Sequence, residues 1–343
     1  MNTVTQRQDT TYPVEFTATA GEYFRIWIVN LALTIVTVGL YSPWAKVRRK
    51  RYFYEHTVVD GDTFEYRGNP VAILKGRLIA LAIAAALWIV SHFAPALMVV
   101  VIIAMIFVIP WLIVRSFAFN AYNSAFRNIR FHFRGTYGRA LKLFLGYGFL
   151  TLITFGLGYF WLKTRMTEFI VRNHHYGTTQ FDVPDLKKSF FKVYGNMIGL
   201  GFLLGLFIVG LTVVFAAVIP NPESPMGVAI TILSYVAYLY IFAYVRAGIL
   251  NATWNQATLG NVHFACTLKA TKLFGIYLVN ILAIMVTLGL ATPWAVVRTM
   301  RYRAQNLEIV AAGSLEAFVT AESANVSAAG EEVGEMFDFD FSL

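Results

Sequence analysis

This sequence is poor in charge. Of 343 residues only 14% are charged, while 57% are hydrophobic and 16% aromatic; an average soluble domain is about 25% charged. That balance excludes a disordered chain, a coiled coil and an ordinary soluble enzyme, and leaves a polytopic membrane protein. Cysteine is scarcer still. Cys266 stands alone, which excludes a disulfide framework and a cysteine-built metal site. Walker phosphate loops, H-E-x-x-H, G-x-S-x-G and C-x-x-C are all missing. With no paired carboxylates, triad or metal set, we expect neither an enzyme nor a cofactor. The adjacent pair His174-His175 reads as surface or interfacial, and His132 and His263 as one strand position repeated. The first 20 residues, polar with few positive charges, do not read as a secretory signal peptide, so targeting is expected from internal apolar segments.

What the chain does have is a net charge of +9 with a pattern. Lys and Arg number two in residues 1–25, eight in 46–77, six in 115–142, six in 163–192, three in 246–272 and three in 298–303. They flank apolar spans, so positive-inside topology and headgroup contact explain them better than nucleic acid. Residues 78–114 hold no charge and residues 193–245 only Glu223. Each stretch is long enough for two transmembrane helices. The turns are expected at Ser91–Pro95 and at Ile219–Pro225, free of Lys and Arg and therefore outside.

Three further apolar segments, near 24–45, 143–162 and 274–295, belong to an internal repeat. Residues 24–52 match 274–302 at 15 of 29 positions, among them Asn30/Asn280, Thr37/Thr287, Gly39/Gly289, Pro43/Pro293, Trp44/Trp294, Arg48/Arg298 and Arg51/Arg301. A weaker middle copy keeps Thr154, Gly156, Leu157, Trp161, Lys163 and Arg165, and has Phe160 for the proline and Glu168 for the second arginine. Self-similarity of this kind is a strong signal. The hairpins repeat too: Arg115…Asn120-Ala121 recurs as Arg246…Asn251-Ala252, and His132-Phe133 as His263-Phe264.

The expected organisation is repeat unit 12–68, transmembrane hairpin 69–129, unit 130–183, hairpin 184–261, unit 262–320 and a disordered acidic tail 321–343. The fold class expected is an all-α polytopic membrane protein of two transmembrane hairpins and three helix-break-helix units, with short cytoplasmic β-strands able to pair into a small sheet. Gly39, Gly156 and Gly289 suit the left-handed position past a helix end. Ser42 and Thr292 are expected as N-caps ahead of Pro43 and Pro293. Together these residues form the hinges. A helix over 24–38 would be about 22 Å long, short of the roughly 30 Å hydrocarbon core; a continuous 24–45 would span it. Four spans with three re-entrant units put every basic segment inside, whereas seven spans scatter them, so we favour the former.

The run from Gly21 through Thr37-Val-Gly-Leu-Tyr-Ser-Pro-Trp-Ala-Lys-Val-Arg-Arg-Lys-Arg-Tyr52, then Phe64-Glu-Tyr-Arg-Gly68, resembles the YjgN family. The resemblance covers most of residues 12–318. It implies a bacterial, multi-pass inner-membrane protein of unknown function, and carries over no substrate, cofactor or catalytic residue. The chain departs from it mainly at Phe160.

Candidate contacts for lipid or solute are Arg48, Arg165, Arg298, Arg51 and Arg301, with Trp44, Trp161 and Trp294 at the interface. Asn30, Asn280, Asn120 and Asn251 are the polar residues within apolar segments, suited either to interhelical bonding or to one polar cavity. Arg115 and Arg246 read as snorkelling cations at helix ends. The partner expected is membrane lipid with anionic headgroups, with no nucleic acid, and a homo-oligomer is allowed. A channel or transporter for a small or anionic solute is one reading. A non-transporting envelope protein that binds anionic lipid is the other. The C-terminus is expected in the cytoplasm, and the Phe337-Asp-Phe-Asp-Phe341 ending as part of a solvated tail.

Overall fold

A computed structural model describes residues 9–216 and 224–338. Residues 219–223 of the expected outer loop and 339–341 of the Phe-Asp ending lie outside the described residues.

The chain makes five excursions of one form, strand-helix-helix-strand. The first is β1 (Asp9–Phe16), α1 (Ala20–Val36), α2 (Ser42–Glu55) and β2 (Thr57–Val59). The second is β3 (Asp62–Tyr66), α3 (Pro70–Phe93), α4 (Met98–Tyr122) and β4 (Ser124–Phe126). The third is β5 (Ile129–Phe133), α5 (Tyr137–Ile153), α6 (Tyr159–Asn173) and β6 (His174–Tyr176). The fourth is β7 (Thr179–Asp182), α7 (Lys187–Ala216), α8 (Pro225–Trp254) and β8 (Thr258–Leu259). The fifth is β9 (Val262–Cys266), α9 (Ala270–Val286), α10 (Thr292–Ala304) and β10 (Leu307–Ala312), and α11 (Leu315–Asp338) follows.

The ten strands form one closed antiparallel barrel, in the order β1-β10-β9-β8-β7-β6-β5-β4-β3-β2. This corrects the expected all-α class. The strands are two to eight residues long, too short to announce a barrel, and closure comes from the pairing of β1 with β10, Tyr12 opposite Ile309. Successive excursions are joined by two-residue turns. Asp60-Gly61 (φ 52° and 78°) and Arg127-Asn128 (φ 46° and 65°) have both residues left-handed, as the tightest antiparallel connection requires.

This pairing decides the topology. The strands that open and close each excursion are neighbours: β1 with β2, β3 with β4, β5 with β6, β7 with β8, β9 with β10. Each helix pair therefore leaves the barrel and returns to it on the same side, and a unit that crossed the membrane once would separate strands that are bonded. Seven spans are incompatible with the barrel. Four helices, α3, α4, α7 and α8, are long and apolar enough to cross. Helices α1, α5 and α9 have 17 residues each, about 25 Å, and end in apolar tips: Val38, Phe155 and Leu288 are 93%, 99% and 94% exposed. The helices pack on their sequence neighbours, and α10 returns to α1, so they stand as a ring above the barrel.

All three units break in the same way. Val38-Gly39, Phe155-Gly156 and Leu288-Gly289 take positive φ, the glycines at 88°, 95° and 95°, where a Cβ would be strained. A threonine bridges each break. Thr37 Oγ1 donates to the Leu33 carbonyl (2.7 Å) and accepts from Tyr41 N (2.9 Å). Thr154 bridges Leu150 and Gly158 N (2.6 and 2.7 Å), and Thr287 bridges Ala283 and Ala291 N (2.7 and 2.9 Å). The expected N-caps are corrected accordingly. Tyr41 and Ala291 occupy the cap positions, with no side-chain cap bond. Ser42 and Thr292 instead donate back to the carbonyls of Gly39 and Gly289, each at 2.6 Å. Pro43 and Pro293 begin the second helix, but the threonine and glycine suffice, and Phe160 in the middle unit leaves the break unchanged.

The barrel interior is filled by Val14, Val59, Phe126, Ile129, Tyr176, Leu259, Val262 and Ala311, joined by Leu315 and Val319 of α11. The expected disordered tail is thus corrected over 321–338: α11 is a helix, and Glu322 within it is 2% exposed. It starts where β10 ends, at the barrel end that carries the two-residue turns, and closes that end.

Candidate functional site

The sequence-predicted residues lie on the helices that rise from the barrel and at their breaks. The ring order separates them. Units 1 and 3 are neighbours through α1 and α10, while a hairpin stands between the middle unit and each of them. Arg48, Arg165 and Arg298 therefore do not gather into one ring. Arg48 and Arg51 are exposed. Arg165 donates to Glu168 at 2.6 Å. Arg298 lies over the Trp294 ring, 5.1 Å from its centroid. Trp44 stacks on Tyr41 at 6.1 Å, and Trp161 packs edge-on to Phe160 at 4.8 Å.

Arg301 and Glu168 occupy equivalent places in units 3 and 2, and each holds the chain entering the next helix of the ring. Arg301 donates to the Ala18 carbonyl ahead of α1 (2.8 Å). Glu168, 3% exposed, accepts from Leu186 N ahead of α7 (2.9 Å). The charge is reversed because the backbone group offered is an N–H in one place and a C=O in the other.

The four asparagines do not line one cavity. Asn251 bonds both backbone groups of Leu268 (2.9 and 3.0 Å), sealing α8 to the start of α9. Asn280 donates to the Ala295 carbonyl (3.1 Å) and to Thr299 Oγ1 (3.0 Å). Asn120 accepts from Lys50 Nζ. Asn30 is buried with its Oδ1 unpartnered and faces a cavity of about 490 Å³ between α1, α2 and α10.

That cavity is basic. Lys46, Arg49 and Arg77 line it with Thr34, Ser42 and Thr292, and no carboxylate does. Arg77 reaches from α3 to Ser42 Oγ. In unit 3 the equivalents of Lys46 and Arg49 are Val296 and Thr299; Thr299 Oγ1 accepts from Asn280 Nδ2, while Asn280 Oδ1, like Asn30 Oδ1, is unpartnered. The same fold position is thus cationic in unit 1 and uncharged in unit 3. The middle unit has a cavity of about 450 Å³ with Arg139, Lys142, Arg165 and Arg172, partly neutralised by Glu168.

A second kind of space lies on the barrel axis. An apolar chamber of about 210 Å³ remains between Phe64, Phe126, Phe131, Phe181, Phe264 and the α11 residue Phe318. It shares Thr57, Phe64 and Phe131 with a cavity of about 360 Å³ at the rim, which Tyr54, Asn120, Ser124 and His174 also line. Lys50, over the Tyr66 ring at 4.7 Å, reaches that mouth by donating to Asn120. Burial, with Lys46 and Arg49 close by, pushes its ammonium down to about 8. On the α8 side the rim is shut by Trp254 against Phe264, 5.1 Å apart.

The histidines fall at the strands but not as one repeated position. His132 stands opposite His175 across β5 and β6, while His263 stands opposite Val310 and Thr258. Three residues join α8 to β8 and one joins α4 to β4, so the strand register is two residues off the helix register. Phe264 therefore matches Phe131. Burial first, then Arg134, lowers the His132 pKa; burial likewise leads the lowering at His175.

Sequence reasoning missed Lys46, Arg49 and Arg77 as a group, because Arg77 comes from another helix, α3, and joins the other two only through the packing of α3 on α2. It missed the chamber because the barrel was not legible.

Comparison with known proteins agrees with the four apolar helices. The inner membrane protein YjgN of Salmonella typhimurium (strain LT2) is 28% identical over 140 residues, 40% of this chain and 35% of the relative. The inner membrane protein YjgN of Escherichia coli (strain K12) is 47% identical over 51 residues, 15% of this chain and 13% of the relative. The chain thus spans about a third or less of the length of the curated relatives it matches. No solved structure matches the chain. The family described as "Bacterial protein of unknown function (DUF898)" matches residues 11–336. With its repeated break, apolar spans and YjgN relatives, the chain belongs to that family and is an inner-membrane protein of unknown function.

Proposed function

We propose that this protein is a non-transporting membrane protein that holds an anionic phospholipid headgroup in the unit 1 cavity, with the barrel and the C-terminus in the cytoplasm. The observation that carries the reading is the cavity between α1, α2 and α10, where Lys46, Arg49 and Arg77 meet no carboxylate. Cations close to an anionic leaflet contribute about 1 kcal/mol each, and a guanidinium matches a phosphate with two parallel donors. The cavity runs along unit 1 from Tyr23 and Arg49 to Thr34 and Ser42, below the apolar tip. Orientation follows from the positive-inside rule: the basic segments border the barrel, and residues 78–114, which hold the hairpin 1 turn, carry no charge. An aqueous pore along the axis is the weaker reading, because the barrel interior is aromatic and aliphatic and α11 covers its far end.

The test is electron paramagnetic resonance of the protein in vesicles of phosphatidylcholine with a minor share of spin-labelled phosphatidylglycerol. A motionally restricted phosphatidylglycerol fraction larger than the matched phosphatidylcholine fraction is expected, shrinking with added salt. Substituting Lys46→Gln, Arg49→Gln and Arg77→Gln together should remove the preference, and Arg48→Gln should leave it. Equal restriction of both lipids, or a preference untouched by the triple substitution, contradicts the proposal.

A further inference from the structure

The two hairpins are copies, yet they meet the barrel rim differently. On hairpin 2, Asn251 locks the Leu268 backbone, and Asn255 locks Cys266, donating to its carbonyl at 3.0 Å and accepting from its N–H. Trp254 then closes against Phe264. On hairpin 1, Asn120 turns to Lys50 and its own Ser116 carbonyl (2.8 Å). Ser124 Oγ meets the Tyr54 hydroxyl at 3.1 Å, and the linker that would carry a second locking residue is only Asn123. What is sealed on one side is open on the other, and the opening leads through Thr57, Phe64 and Phe131 into the chamber.

The polarity is graded along that path. Asn120, Ser124, Tyr54 and His174 line the mouth, where α4 comes down from the membrane, and Lys50 reaches it by donating to Asn120. Below Thr57 the lining is aliphatic and aromatic, and Leu315, Phe318 and Val319 of α11 form the floor. We infer that the chamber takes the acyl chain of a single-chain anionic amphiphile, its head held by Lys50 and Asn120 at the rim. Chambers of about 300–1,000 Å³, mostly apolar with a few placed polar groups, are the usual form of a small-molecule site, and the chamber with its mouth falls in this class. A two-chain lipid does not suit one narrow path walled by Phe64 and Phe131. This site is separate from the unit 1 cavity and does not rest on it.

Trp254 lines the chamber and reports on its contents. The native protein and a Trp254→Phe variant, purified in detergent, are titrated with a brominated long-chain fatty acid, a brominated lysophosphatidic acid and a two-chain brominated phosphatidylglycerol. The expected result is saturable quenching by at least one single-chain probe that is absent from Trp254→Phe, and none by the two-chain lipid. The probe that binds identifies the head as carboxylate or phosphate. Lys50→Gln with Asn120→Ala should weaken the binding roughly tenfold or more, the loss expected for charge-assisted hydrogen bonds. Ala121→Leu, which narrows the mouth, should weaken it as well. Quenching that never saturates, that persists unchanged in Lys50→Gln with Asn120→Ala, or that comes equally from the two-chain lipid overturns the inference. The Lys46, Arg49 and Arg77 substitutions should leave this quenching intact, so the failure of one site is distinguishable from the failure of the other.

Discussion

Glu322→Ala should release α11 from the barrel at a cost on the order of 3 kcal/mol. The carboxylate is buried, and among the described residues no cation pairs with it. It is held by the turn between β6 and β7, where Thr178 and Thr179 donate from both backbone and side chain, their hydroxyls at 2.8 and 2.6 Å and Thr179 N at 3.1 Å. Gly177 completes the fit, since a Cβ there would collide with Glu322 Oε1 and Val326. Truncation strands two backbone donors beneath the helix and leaves Leu315 and Val319 as its anchors. Burial pushes the carboxyl pKa up, but the four donors outweigh it and hold the value below the ordinary one. A group depressed in the folded state stabilises it above the unfolded pKa, about 4.3, and loses that contribution as pH falls through the folded pKa. Acid should therefore loosen α11 as the substitution does. Hydrogen exchange of residues 315–328 reads both effects. Exchange as slow in Glu322→Ala as in the native protein contradicts the docking described.

The second large effect belongs to Glu168. Matching the middle unit to its relatives suggests arginine there, as at Arg51 and Arg301. Glu168→Arg should instead destabilise by about 3–5 kcal/mol, the usual result of removing one partner of a buried ion pair. The substitution strips Arg165 of its 2.6 Å partner, leaves Leu186 N without an acceptor, and adds a cation to Arg139, Lys142 and Arg172. Thermal unfolding in detergent, followed by a probe on α6, measures it. A variant as stable as the native protein shows that Glu168 is a casual departure from the repeat. Glu168→Gln, which still accepts from Leu186 N but loses the ion pair, should lie between.

These two residues mark where sequence reading stops. The repeat was legible because identities recur at a fixed offset, and the helix breaks followed from Gly39, Gly156 and Gly289, whose conformations are local. The four long helices followed from charge-free length. The barrel was not legible. Its strands are short, and the pair that closes it, Tyr12 with Ile309, is nearly 300 residues apart. The two hairpins and three units, read as different things, are one strand-helix-helix-strand form, which appears only once their strands are seen to pair. Glu322 looked like part of a solvated tail because its acidic, small-residue context is polar, while its partners lie more than 140 residues earlier. Of the candidate site, Asn30 was singled out. Lys46 and Arg49 read only as part of a basic helix, and their meeting with Arg77 depends on the packing of α3 on α2.

The central claim is that every excursion returns to one barrel on one side of the membrane. In a Cys266→Ser background, single cysteines at the hairpin positions His92 and Ser224, and at the barrel positions Thr63, Gln180 and His263, are tested with an impermeant thiol reagent in intact and in permeabilised cells. The account predicts that 92 and 224 label in intact cells, and that 63, 180 and 263 label only after permeabilisation. Labelling of any barrel position together with a hairpin position from the same side would contradict it.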